Sequence, residues 1–398
     1  MSSASCLVIN TGSSSVKFAV FNNDTDTPHC WGQVSHLFSD KATLSFSTQD
    51  GTTDTPFPGA DHNIGMEAIL SALTEHNVMQ NLLAVGHRVV HGGPQVSDAQ
   101  FISPDVISLI EKYAEFAPLH NPANLAGIDA CRRFNQSIPQ VAVFDTAFHH
   151  GLSKVASSYA IPSAWQQQFG IRRFGFHGIN HHYVAHRTTA LLQQEGLSSV
   201  VSAHLGNGCS VCAIKDGRSV DTSMGFTPLE GLVMGTRCGD LDPGLFEYLC
   251  QKLNMNVASL TRQLNRESGL KGVSCVGSDM REILQARSQG NEQAALAIEI
   301  FCYRLAKYIA SYVVPLNGID MLVFTAGIGE HAPDIRTYTV DWLSALGFEL
   351  DSTQNQSSAG GMRMISSTSS KPVYIIPANE EWMIARQTFQ VLNQMGEH

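Results

Sequence analysis

The sequence predicts an α/β protein built as two lobes. Its 398 residues exceed the roughly 250 to 300 at which a single hydrophobic core stops growing. A strand, glycine turn, strand pattern opens the chain and returns in its second half, and helical spacing separates such strands. In residues 6–20 the apolar runs CLVIN and VKFAVF flank the turn TGSSS. The second occurrence is VVSAHL, GNG and CSVCAI, followed by the turn Asp216-Gly217. Ile298, Phe301, Leu305, Tyr308 and Tyr312 recur at spacings of three and four, predicting a helix over residues 292–314 that Pro315 and Asn317-Gly318 end. A buried strand is expected over Met321–Thr325, then a glycine turn, then a helix over residues 334–346 closed by Gly347. The Ser, Thr, Gln and Gly-rich stretch 351–371 reads as an exposed excursion. No low-complexity linker separates the halves, so the lobes are expected to pack around a shared cleft.

Composition narrows the function. With 43% hydrophobic and 15% charged residues the chain has the make-up of a globular protein. Its 25 basic and 35 acidic residues give a net charge of -10, and no Lys/Arg cluster follows a nucleic-acid backbone, so nucleic acid and anionic membrane are not expected partners. The amino terminus MSSASCLVINTG lacks a charged and apolar leader, and no later apolar run is long enough to span a bilayer, so a cytoplasmic location is expected. Nine scattered cysteines suit free thiols in a reducing compartment. Cys209 and Cys212 have C-x-x-C spacing, but on an extended strand they point to opposite faces and read as small buried hydrophobes.

Glycine turns after apolar strands let backbone N–H groups approach phosphate oxygens. The chain has three, at 11–15, 206–208 and 327–329. No G-x-x-x-x-G-K-[ST] occurs, which excludes a P-loop enzyme. Residues 327–332, GIGEHA, satisfy G-x-G-x-x-A after a strand and before a helix, with Glu349 downstream, so an NAD-type oxidoreductase competes on pattern alone. Arg88 in GHRVVHGG and Arg237 in MGTRCGD lie among apolar residues and glycines, where a guanidinium needs an anion or a structural salt bridge. His177 and His181 share the spacing of a helical metal pair, but Gly178 puts His177 on a turn. Asp145 ends an apolar run where α/β strands deliver catalytic groups, and where a helix N-cap is equally at home.

Taken together, NTGSSSVKF, GHRVVHGG, APLHNPAN, VFDTAFH, RRFGFHGINHHYV, SAHLGNGCSV, DTSMGFTPLEGLVMGTRCGD, VFTAGIGE and IPANEEWMIA resemble, in the same order, the motif series of the acetate kinases. The resemblance implies two related actin-like (ribonuclease H-like) α/β lobes with a nucleotide cleft between them. The N-terminal lobe would be 1–147, completed by a C-terminal helix 381–398, and the nucleotide-binding lobe 148–380. It further implies a homodimer that transfers phosphoryl between ATP and acetate, giving acetyl phosphate and ADP, with Mg²⁺ or Mn²⁺. A propionate kinase of the same family is the near alternative, and a non-catalytic actin-like filament protein a more distant one.

Carried over motif by motif, the resemblance makes Asn10 and Glu380 the metal-site residues and Lys17 a phosphate-binding group. Arg88 would hold the substrate anion, with Val90, Leu119, Phe176 and Pro228 forming the methyl pocket. Asp145 takes the place of the catalytic aspartate, His177 and Arg237 stabilise the transition state, and His120 matches a further substrate-site position. The nucleotide would lie against His204, Leu205, Gly206, Asn207 and Gly208, against Asp279, Met280 and Arg281, and against Gly327, Ile328, Gly329, Glu330 and His331. Two departures stand out: Ile179-Asn180-His181 where Thr-Ser-His is usual, and His331 where Asn is usual.

Overall fold

The computed structural model describes residues 4–118 and 120–396. Its Cα packing divides the chain into one unit running up to His150 and resuming at Asn379, and a second covering Gly151–Ala378.

The first unit is built on β1 (Ser5–Thr11), β2 (Val16–Asn22), β3 (Cys30–Ser35), β4 (Thr43–Thr48), β5 (Gly51–Pro56), β6 (Leu82–Val89), β7 (Gln100–Phe101) and β8 (Gln140–Phe144), in the order β5-β4-β3-β2-β1-β6-β8-β7. Strands β1 to β5 form an antiparallel meander, while β6 and β8 run parallel to β1. The central strands β1 and β8 carry the continuous apolar runs CLVI and VAVF, buried on both faces. The helices His62–Glu75, Asn121–Phe134 and Glu380–Gly396 pack against this sheet. The last approaches so closely that a Cβ at Gly86 of β6 would sit 2.4 Å from Thr388 Oγ1. That close approach needs glycine in GHRVV, and it ties the chain's C-terminal helix to the first unit.

The second unit repeats the plan with β9 (Ser199–Leu205), β10 (Cys209–Lys215), β11 (Arg218–Thr222), β12 (Met321–Thr325), β13 (Arg363–Met364) and β14 (Val373–Ile375), ordered β11-β10-β9-β12-β14-β13. Three antiparallel strands are again followed by two that run parallel to the first. Each unit thus contains the 3-2-1-4-5 arrangement of an actin-like α/β lobe, opened by the recurring glycine hairpin. Among the described residues no helix is long and apolar enough to cross a membrane.

Several boundaries differ from the sequence expectation. The helix from Glu292 ends at Ser311, and a separate turn of helix, Val313–Leu316, contains Pro315 near its start, where a missing N–H costs nothing. The expected glycine turn at 327–329 lies inside a short helix, Ala326–His331, and Ala326 rather than a glycine takes the positive φ of 63°. The following helix is Pro333–Asp341, with Gly347 left-handed beyond it as expected. The stretch 351–371 is no simple excursion: it supplies the helix Ser352–Gln356 and β13, and Asn355, Ile365 and Ser366 are buried. The oxidoreductase pattern also fails at this point. Its acidic residue should end the next parallel strand, but β14 begins at Val373 and Glu349 accepts from Ser367 Oγ.

Candidate active site

In the first unit, three functional side chains meet at the C-terminal ends of neighbouring parallel strands, the place where open α/β sheets bind ligands. Asn10 lies near the end of β1, Arg88 near the end of β6, and Asp145 directly after β8. Arg88 Nη2 donates to Asp145 Oδ2 at 2.6 Å, Nε donates to both carboxylate oxygens at 3.2 Å, and Nη1 donates to Asn10 Oδ1 at 3.3 Å. Asp145 is therefore neither a helix cap nor free; it fixes the guanidinium by a fork of hydrogen bonds. Burial works against the charge on Arg88, but Asp145, Glu380 and Glu381 outweigh it and raise the arginine's pKa. Burial is also the largest influence on Asp145 and raises its pKa, with Arg88 pulling the other way.

The motif APLHNPAN holds this cluster in place. Asn124 Oδ1 accepts from the Val90 N–H at 3.1 Å while its Nδ2 donates to the Thr11 carbonyl at 2.9 Å. Asn121 Oδ1 accepts from the His91 N–H at 3.1 Å. Two buried asparagines on one helix thus fix the strand ends that carry Asn10 and Arg88. His120 precedes that helix, and its charge acts on Asp145. Lys17 is the cross-strand partner of Asn10 and lines a cavity of about 390 Å³ that Asn379 and Glu381 also border. Glu380 opens the C-terminal helix.

In the second unit, His177, His204 and Arg237 converge on the glycine hairpin between β9 and β10. His177 takes a left-handed φ of 56° before the helix Gly178–Glu195, a conformation uncommon for a non-glycine residue though less so for His. Its ring stacks on His204 at 4.1 Å and its Nδ1 lies 3.0 Å from Ser210 Oγ. Ser210 Oγ is also 2.8 Å from His181 Nε2. His177 and His181 therefore share a serine hydroxyl. A Cβ at Gly208 would sit 2.8 Å from Arg237 Nη2 and 3.3 Å from His177 Nε2. Only glycine lets both side chains lie against this turn. Arg237 Nη1 donates to the Pro228 carbonyl at 2.6 Å, and burial lowers the arginine's pKa.

Gly206, Asn207, Asp279, Met280, Arg281, Gly327, Ile328 and His331 line one cavity of about 500 Å³, with Ser278, Leu284 and Ala332. Asp279 caps the helix Met280–Ser288 and is held to about 2 by its hydrogen bonds with Arg281. Gly329 is buried in its short helix and Leu205 ends β9. Glu330 Oε1 accepts from the Ala378 N–H at 2.9 Å. Of the expected methyl-pocket residues, Val90 is buried in the first unit, and Phe176, buried, and Pro228, half-buried, belong to the second. Leu119 lies outside the described residues.

Sequence reasoning missed Arg336. It is 1% exposed and bonds no carboxylate among the described residues: Nη1 donates to the Gly329 and Glu330 carbonyls and Nε to Asn355 Oδ1. Burial lowers its pKa to about 10. It ties the cavity's short helix to residues 352–356. The available signal was an arginine on the same helical face as Ile335, Thr339 and Val340.

Comparison with known proteins gives concordant results. The model of the Acetokinase family matches residues 5–386. The chain is 46% identical to the acetate kinase of Deinococcus deserti, over 97% of each. Among solved structures it is similar to a propionate kinase from Francisella tularensis (TM-score 0.92, 41% identity, covering 96% of this chain and 98% of that one). It is also similar to the acetate kinase of Porphyromonas gingivalis (TM-score 0.90, 38% identity, covering 98% and 100%).

Proposed function

Because the chain belongs to the acetokinase family, we infer that it transfers a phosphoryl group reversibly between ATP and acetate, giving acetyl phosphate and ADP. The observation that carries the reading is the Arg88 guanidinium, fixed by Asp145 at the ends of parallel strands. A half-buried arginine so oriented suits a small carboxylate or phosphate.

Phosphoryl transfer asks for positioning and charge neutralisation more than covalent work by the protein. The acetate carboxylate attacks the γ-phosphorus of ATP and ADP leaves. Arg88 holds the acceptor anion. Asp145 orients Arg88 and does not act as a base, since acetate has no proton to lose at pH 7. Arg237 and His177 offset charge on the transferred group, and Val90, Leu119, Phe176 and Pro228 contact the methyl. Nucleotide occupies the cavity between Asn207, Asp279 and Ile328, with Lys17, His204, Leu205, Gly208, Gly329 and Glu330 as further nucleotide-site residues and His120 as a substrate neighbour.

Asn10 and Glu380 offer only oxygen donors, an amide and a carboxylate, which fits Mg²⁺ or Mn²⁺ that keeps waters and phosphate oxygens as its remaining ligands. Asn10 Oδ1 spends one lone pair on Arg88, leaving the other available. The ion, when bound, supplies charge that offsets the nucleotide phosphates. The family reading also supports a cytoplasmic homodimer divided near residues 147 and 380.

The test is hydroxamate trapping of acyl phosphate across short-chain acids with ATP. Acetate should give acyl phosphate, and withholding Mg²⁺ should abolish it. Nicotinamide-dependent absorbance change would instead support an oxidoreductase. Nucleotide binding without turnover on any acid would support a filament protein.

A further inference from the structure

One of this chain's departures from the usual family motif lies behind the paired imidazoles. Asn180 sits in the first turn of the helix Gly178–Glu195 and is fully buried. Its Nδ2 lies 2.8 Å from His204 Nδ1 and 3.2 Å from Thr325 Oγ1. An amide nitrogen can only donate, so His204 Nδ1 accepts, and the proton of the neutral ring resides on Nε2. Asn180 Oδ1, equally buried, has no hydrogen-bond partner among the described residues.

The consequence reaches His177 through contact. The two rings are 19° from parallel with centroids 4.1 Å apart, so the orientation of His204 defines one wall of the space His177 occupies. His204 pairs in register with both Ser210 of β10 and Thr325 of β12. Asn180 thereby links the helix that begins at His177 to the ends of β9 and β12. Ser210 holds His177 from the other side, through Nδ1.

We propose that Asn180 is a positioning residue for phosphoryl transfer: its amide fixes His204 as the Nε2–H tautomer, and the fixed ring holds His177 in place by stacking. This rests on the acetokinase reading of the site. A donor at position 180 is required, and size alone does not suffice. Asn180→Asp keeps the shape but replaces the donor by an acceptor, so His204 must turn its own Nδ1–H toward the carboxylate. Asn180→Ser, the residue usual in the family, keeps a donating hydroxyl.

The experiment combines ¹⁵N NMR of histidine-labelled protein with kinetics on the full chain. Wild type should show His204 as the Nε2–H tautomer. Asn180→Asp should convert it to the Nδ1–H or doubly protonated form, and should lower kcat roughly ten- to a hundredfold, the scale expected for small displacement of a reacting group. KM for ATP and acetate should stay within a few fold. Asn180→Ser should recover most of kcat. The proposal is overturned by a wild-type His204 already protonated at Nδ1, by an Asp variant with unchanged tautomer or unchanged kcat, or by Ser and Asp variants that are equally impaired. Wild-type turnover in the hydroxamate assay tests the acetokinase reading separately, and the tautomer is read without any turnover.

Discussion

Arg88 and Arg237 are both half-buried guanidiniums in glycine-containing motifs, yet the two units treat them differently. Arg88 in the first unit is gripped by a carboxylate through three N–H donations and holds its charge more firmly than an ordinary arginine. For Arg237 in the second unit, no carboxylate among the described residues comes within ion-pair distance; its one backbone bond is to Pro228, and burial lowers its pKa. The first is a preassembled clamp, oriented before any ligand arrives. The second is a cation whose compensation is left to an incoming anion. A transferring phosphoryl group, which gains nothing from a site already neutralised, suits the second arrangement, and a small carboxylate that must be oriented suits the first.

The contrast has its largest consequence in paired substitutions. Arg88→Ala and Arg237→Ala should each lower kcat at least about a hundredfold, because one transition-state charge contact is commonly worth ~2.7 to 4 kcal/mol. Their stabilities should diverge. Arg88→Ala strands a buried Asp145 and should cost about 3 to 5 kcal/mol, whereas Arg237→Ala removes an uncompensated buried cation and should leave the melting temperature near wild type. Equal destabilisation by both, in thermal melts, would erase the distinction between clamp and open cation.

A smaller effect concerns acid. His87 and His91 of the first unit are buried, and burial lowers each from 6.5 to about 4. The unfolded chain therefore binds more protons than the folded one between those values. Stability from these neutral rings is complete above pH 6.5 and is lost as pH falls toward 4, by about 2 kcal/mol per histidine at pH 5. His87→Gln, which cannot be protonated, should shrink the loss of melting temperature between pH 7 and pH 5. An unchanged acid sensitivity would mean that His87 is not held neutral.

The smallest expected effect is on acid size. Val90 is buried beside Arg88 with its N–H tied to Asn124, and a β-branched side chain cannot easily swing aside. Acetate should be preferred over propionate by roughly 10- to 200-fold in kcat/KM, the range one methylene commands. Val90→Ala should move the ratio toward propionate, mainly through KM. Side-by-side kinetics in which wild type favours propionate, or the ratio does not move, would assign the pocket to another residue.

The hairpins and the strand-end position of Asp145 were legible because apolar runs and glycines are local signals. The short helix Ala326–His331 was not: two glycines read as a turn, and its helical geometry depends on Ala326 accepting a positive φ and on Arg336 holding its carbonyls, both tertiary effects. Residues 351–371 misled for the same reason, since their polar composition hides a buried Asn355 bonded to Arg336. Motif order singled out Arg88, Asp145 and Asn10 as candidate site residues, but only the fold shows that Asp145 grips the guanidinium and that Asn10 accepts from it. The stacking of His177 on His204 had no sequence signature either, because the partners are distant in the chain and meet through strand register.

The division of labour between the units is tested most directly by calorimetric titration of wild type and Arg88→Ala with ADP, and with NAD as the control. If the first unit orients the acceptor and the second holds the nucleotide, ADP should bind both proteins with closely similar affinity, NAD should show no saturable binding, and acetyl phosphate turnover should be lost only in the variant. Loss of ADP binding in a folded Arg88→Ala protein, or saturable binding of NAD by wild type, would contradict that division.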